Sequence, residues 1–160
     1  MFKIKKIKLK PNPNGDSRTV TTPATFKEFH KANVEHINDV QRVMGAISKM
    51  LNVQGSIHDQ TKLKYEDEFY ENYLDAIINK KDFVSNTWYQ KHITQEKHHP
   101  LNCCHDDITL LDIIETIVDC VCAGKARSGE IRSLEFDDEI IKKAVANTVK
   151  LIDEITEVEE

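Results

Sequence analysis

The chain has 160 residues, 39% apolar and 31% charged, which suits one globular domain with a real core and excludes a disordered chain. A net charge of −5 excludes a general duplex nucleic-acid binder, whose affinity comes from Lys and Arg displacing counterions. No stretch approaches the roughly 20 apolar residues of a membrane span and the lysine-rich start lacks the apolar run of a signal peptide, so a cytoplasmic protein without membrane contact is expected.

Residues 1–24 read as an arm and 25–160 as a helical domain. From Phe2 to Leu9, apolar Phe2, Ile4, Ile7 and Leu9 alternate imperfectly with lysines, and Pro11-Asn12-Pro13-Asn14-Gly15 is turn chemistry, so a short two-stranded ribbon or extended arm fits. Thr25 and Glu28 form a capping-box pattern that opens the first long helix. Within it Phe29, His36, Val40, Val43 and Ile47 fall at three-and-four spacing, which predicts a buried stripe with His36 along it. His30 lies near the helix start and reads as surface. Gly55 is expected to break this helix and to deliver His58-Asp59 on a short helical segment, with Lys62 one turn on and facing the same cavity.

Tyr65 to Lys81 reads as an amphipathic helix, and Phe83 and Trp88 as residues packed under a loop. Three of the chain's seven histidines, His92, His98 and His99, follow within eight residues, and Pro100 ends the local helix at or before His99. Asp106 or Asp107 is expected to cap the next helix, apolar on nearly every side from Ile108 to Val121 and therefore central. Asp112, Glu115 and Asp119 form a polar stripe on it. Burying carboxylates without cations costs several kcal/mol each, so a metal, the histidines or Arg127 must face them. Gly129 ends that helix, Asp137-Asp138-Glu139 begins the last, and Glu157 to Glu160 read as frayed. Cys103, Cys104, Cys120 and Cys122 lack zinc-knuckle spacing and read as reduced, mostly buried thiols.

An imidazole and a carboxylate on adjacent residues can reach one divalent ion. The order His36, then His58-Asp59, then His92 with His98-His99, then Asp119 resembles the HD superfamily of metal-dependent phosphohydrolases. The resemblance implies an all-α, HD-domain-like helical bundle in which His36, His58, Asp59 and Asp119 hold a divalent metal (Mn, Co, Zn, Mg or Fe), with His92 and His98 or His99 ligating a second ion or touching the substrate's phosphate. Lys62 stands where HD nucleotidases carry a glutamate, which is similar instead to HD phosphodiesterases and HD-fold di-iron oxygenases. More closely, His36-Ile37-Asn38-Asp39-Val40, His58-Asp59-Gln60-Thr61-Lys62, Trp88 with His92 and His98-His99, Asp107 with Ile113-Ile114-Glu115 to Arg127-Ser128-Gly129, and Asn147-Thr148-Val149 resemble a small uncharacterised family of bacteriophages and bacteria, from Thr25 to the end.

The expected activity is hydrolysis of a small phosphate ester, a nucleotide above all, with the metal activating water, Asp59 lying between two ions, Lys62 and Arg127 neutralising phosphate, and Glu115 orienting a ligand histidine from behind. A phage-encoded enzyme would work in the host cytoplasm. A di-iron oxygenase, or a non-catalytic nucleotide-binding or inhibitor protein with a structural metal, would carry the same residues. The sequence leaves homo-oligomerisation open.

Overall fold

The capping box read at Thr25 is formed: its backbone N–H and hydroxyl donate to Glu28 Oε2 at 2.8 and 2.7 Å, and Glu28 N–H returns a bond to Thr25 Oγ1 at 3.3 Å. From it α1 runs over Phe26–Ser56 in this computed structural model, which describes residues 6–20, 22–131 and 133–159. The described residues are mostly helical: α1 is followed by α2 (Gln60–Lys64), α3 (Glu66–Ile78), α4 (Thr87–Gln95), α5 (Leu110–Ser128) and α6 (Asp138–Ile155). A two-stranded parallel ribbon joins β1 (Ile7–Leu9) to β2 (Thr156–Val158). None of the described helices is long and apolar enough to cross a membrane.

The chain divides into two compact units, one taking the chain up to Asn52 together with Val149 onward, the other Val53–Thr148. In the first unit the expected ribbon forms, but its partner is the C-terminal segment, Ile7 aligning with Thr156 and Leu9 with Val158. The expected fraying from Glu157 is therefore corrected, because Glu157 and Val158 gain a strand partner and Glu159 N–H reaches Leu9 O at 2.8 Å. Phe2, Ile4 and Glu160 lie outside the described residues. The arm meets the charged side of α1: Lys10 N–H donates to Asp39 at 2.9 Å, Arg42 bonds Lys8 O and Asp39, and Asn12 donates to Ala32 O at 2.6 Å. The predicted burial of the α1 stripe fails in consequence. Phe29, His36 and Val40 are exposed and Val43 and Ile47 half-buried, the arm's hydrogen bonds to α1 going to Ala32, Asp39 and Arg42.

In the second unit α2, α3 and α4 pack together around an aromatic stack in which Trp88 lies 3.8 Å from Phe69 and 5.0 Å from His92, ring centroid to centroid. Trp88 is on α4 and buried, not under a loop, because Asn86 caps that helix by accepting Tyr89 N–H at 2.7 Å. A second nucleus joins Ile108, Ile113 and Ala144 with Leu110, Phe136 and Ile140 packed against it. Asn147 and Thr148 bind the entry to α5, Asn147 donating to Ile108 O at 2.7 Å and Thr148 Oγ1 accepting Leu110 N–H at 2.8 Å.

The start of α5 differs from expectation in its cap, which is Thr109 with Asp112 in a capping box rather than Asp106 or Asp107. Its expected burial on every side is also corrected: Leu111 and Ile113 are buried, whereas Ile114, Ile117 and Val118 are exposed. Gly129 closes α5 at φ 77°, left-handed backbone that suits glycine, and a Cβ on Gly124 would lie 2.5 Å from Glu130 O. The four cysteines are free, and the expectation that most are buried is corrected, since Cys103, Cys104 and Cys120 are half-buried and Cys122 is exposed.

Candidate metal centre

The break after α1 comes at Ile57–Asp59, past Gly55, and it shapes the site. Asp59 adopts φ 57°, a left-handed conformation that Asp tolerates better than most residues and that costs on the order of 1 kcal/mol or more. Such a kink turns His58 and Asp59 together into the second unit's interior. α4 contributes His92, the turn behind it His98 and His99, and α5 contributes Glu115 and Asp119.

Two groups of donors result, Asp59 with His92, His98 and His99, and His58 with His98 and Asp119. Asp59 Oδ1 stands 3.4 Å from His92 Nε2 and 3.3 Å from His98 Nε2, and His92 Nε2 stands 2.8 Å from His99 Nε2. Ligands at about 2.1 Å from a common ion lie about 3.0 Å apart at octahedral angles and about 3.4 Å apart at tetrahedral ones, which is the spacing found. In the second group His58 Nε2 is 3.6 Å from Asp119 Oδ1, and Asp59 Oδ2, from the first group, stands 3.2 Å from the same nitrogen. The fit to a metal rests on more than spacing. Asp59 Oδ1 and His98 Nε2 are both buried and, although 3.3 Å apart, form no hydrogen bond of good geometry, so each has only the other to face unless a metal ion binds between them.

The rear nitrogens are held. His58 Nδ1 is 2.7 Å and His98 Nδ1 3.3 Å from Glu115 Oε1, and His92 Nδ1 is 2.6 Å from Thr61 Oγ1. A carboxylate or hydroxyl behind an imidazole keeps the Nδ1–H tautomer and leaves Nε2 free to ligate. Gln54 donates its amide to Glu115 Oε2 at 2.5 Å and to Asp112 Oδ1 at 2.8 Å, and Glu96 Oε1 accepts Thr61 N–H at 3.1 Å.

Charges follow from this packing. Burial works against ionisation of Asp59, but the His98 contact and the Lys62 ammonium outweigh it and hold the carboxyl well below its usual range. Burial also works against a cationic His98, yet Asp59 and Glu115 on its two sides push its pKa up to about 9. His92 and His99 go the other way, to about 4, through burial and the neighbouring imidazoles. Without metal, the His98 cation and the Lys62 ammonium therefore face the Asp59 and Glu115 carboxylates, and a metal cation would take the place of the His98 proton.

The structure brings together His58, Asp59, His92, His98, His99 and Asp119, with Glu115 behind them as expected. His36 stands exposed on α1 in the first unit and is in neither group. Lys62 pairs with Asp59 Oδ2, three residues back, the same oxygen that stands 3.2 Å from His58 Nε2. Arg127 is exposed two turns beyond Asp119 on α5. Of the three carboxylates of the α5 stripe, Asp112 is spent on the helix cap and Gln54. Sequence reasoning missed Gln54, Thr61 and Trp88, whose ring stacks on His92; the one available signal was Thr61 itself, a hydroxyl inside the His58–Lys62 motif.

Residues 25–157 match a family model described as a family of unknown function (DUF5662). No curated protein and no solved structure matches the chain.

Proposed function

This chain belongs to that family, DUF5662, and we propose that it is an HD-type, metal-dependent phosphohydrolase acting on a nucleotide or another small phosphate ester in the cytoplasm, the host's if the protein is phage-encoded. The observation that carries this reading is the buried pair Asp59 Oδ1 and His98 Nε2, 3.3 Å apart without a well-formed hydrogen bond, among four imidazoles and a second carboxylate. His92, His98 and His99 with Asp59 would hold one divalent ion, and His58 with Asp119 would complete a second position alongside Asp59's other oxygen. When bound, such ions lower the pKa of a coordinated water and polarise a phosphoryl oxygen. Lys62, at the Asp59 carboxylate, is the cation expected to bind a phosphate oxygen as a point charge, with Arg127 as a second. Glu115 and Thr61 would hold the rear nitrogens of His58, His98 and His92 and so orient their Nε2 atoms toward the ion.

The donor set of four imidazoles and two carboxylates also suits iron, which keeps a di-iron oxygenase as the second reading. One experiment separates the two: metal analysis of the purified protein, then release of phosphate from a panel of nucleotides, cyclic dinucleotides and simple phosphate esters with Mn, Co, Zn, Mg or Fe. Turnover that Asp59→Asn abolishes is expected, Asn being chosen because it tolerates the left-handed backbone. Stoichiometric iron with no phosphate release would favour the oxygenase, and a protein that binds no metal would overturn both.

A further inference from the structure

Asp59 holds the N-cap position of α2, yet its side chain accepts no hydrogen bond from that helix's first backbone donors, the usual task of an aspartate there. The carboxylate is given to the site instead, and its two oxygens have different neighbours. Oδ1 faces His92 and His98. Oδ2 stands 3.2 Å from His58 Nε2 and pairs with the ammonium of Lys62, three residues on. Lys62 is half-buried, and among the described residues no other carboxylate lies within ion-pair distance of it. Its ammonium therefore occupies an oxygen that a metal ion beside His58 would also need.

We propose that Lys62, given the metal-dependent reading above, is an internal competitor for the metal and that a phosphate anion relieves the competition. Without metal its ammonium neutralises Asp59. A divalent ion and an ammonium on one carboxylate repel each other, and in a half-buried site water and salt screen that repulsion poorly. Metal binding at Asp59 therefore drives Lys62 off its only carboxylate and leaves a half-buried cation beside the ion without a counter-charge, which is costly. A phosphate group supplies both the missing negative charge and oxygens that accept from the ammonium, and a neutral ligand does not supply the charge. Metal and phosphate thus favour each other through Lys62, and by linkage each raises the other's affinity by the same factor. Phosphate bound directly to the ion couples the two as well, so the part that passes through Lys62 is the part lost when its charge is removed.

The affinity of the full chain for Mn(II), or for the divalent ion found in the purified protein, tests this without any turnover when measured at fixed pH by competition with a chelating indicator. Lys62→Met, which keeps the length and removes the charge, is expected to bind the ion about tenfold tighter than wild type, while Lys62→Arg stays within about twofold of it. Lys64→Met makes the same charge change at an exposed position of α2 and is also expected to stay within about twofold. Inorganic phosphate at millimolar concentration is expected to tighten metal binding in wild type, by a factor about fivefold or more larger than in Lys62→Met. An affinity in Lys62→Met no tighter than wild type, an equal gain in Lys64→Met, or an equal phosphate effect in Lys62→Met and wild type overturns this proposal and leaves the metal site standing. A chain that binds no metal overturns the proposed function as well. Should Lys62→Met fail to fold, Lys62→Gln removes the same charge and is held to the same outcomes.

Discussion

His58 Nδ1 and Glu115 Oε1 lie 2.7 Å apart, and the same oxygen stands 3.3 Å from His98 Nδ1, so one carboxylate sets two imidazoles from behind. Glu115→Gln keeps the shape but replaces an ionised acceptor with a neutral amide whose NH₂ cannot accept. The expected result is metal affinity weakened by about 10- to 100-fold with the helical content unchanged, read by titration with a competing chelator. Unchanged affinity would mean that Glu115 does not fix the ligands.

Thr61 is the corresponding support for His92. Thr61→Val is nearly isosteric and removes only the hydroxyl, leaving His92 Nδ1 buried with no partner in a side chain that is 3% exposed. A loss of about 1 to 3 kcal/mol is expected, with a lower melting temperature even in chelator. Metal affinity should fall as well, because the ring is then free to turn. Stability equal to wild type would remove this role for Thr61.

The histidines give a stability optimum with a definite sign in the metal-free protein. His92 and His99 titrate near 4 in the fold against about 6.5 when unfolded, so the unfolded state binds more protons between those values and stability falls as pH drops from about 6.5 to 4. His98 titrates near 9 in the fold, so its contribution is complete below about 6.5 and is lost as pH rises toward 9. Chelated protein should be most stable near pH 6.5 and weaker on either side, measured by denaturant midpoints across that range. Asp59, held low, adds stability that is lost only in stronger acid. Below about pH 9 metal must displace the His98 proton, so binding should tighten as pH rises, with proton release visible by calorimetry in buffers of different ionisation enthalpy.

The mostly helical architecture was legible because its signals are local: the Thr25–Glu28 box, the Gly129 stop and the apolar spacing in α5 and α6 each depend on a few neighbouring residues. The clustering of His58, Asp59, His92, His98, His99 and Asp119 was legible from residue type and order, since few other roles suit so many ligating groups. What escaped depends on long-range partners. Glu157 joins a strand only because Lys8 lies beside it, and spacing along α1 identifies the apolar line without saying whether this chain covers it. Gln54 looked like an ordinary helical glutamine, because its partners Asp112 and Glu115 lie far along the sequence and only folding brings them to it.

Asp119 separates a working metal site from a structural ion-pair network. Its carboxylate is half-buried, 3.6 Å from His58 Nε2, and no hydrogen bond among the described residues holds it. As a ligand, its charge is stabilised mainly by the metal, so Asp119→Asn should lower metal occupancy and turnover while α5, anchored by Leu111 and Ile113, still packs. As the partner of a buried cationic imidazole instead, the same change should cost about 3 to 5 kcal/mol with or without metal. Against a total stability of about 5 to 15 kcal/mol that loss would be plain in a melting curve. The expected pattern is that chelator lowers the melting temperature of wild type and leaves Asp119→Asn where it was. If chelator moves neither protein and Asp119→Asn melts far below wild type, Asp119 is a structural counter-ion and the second donor group binds no metal.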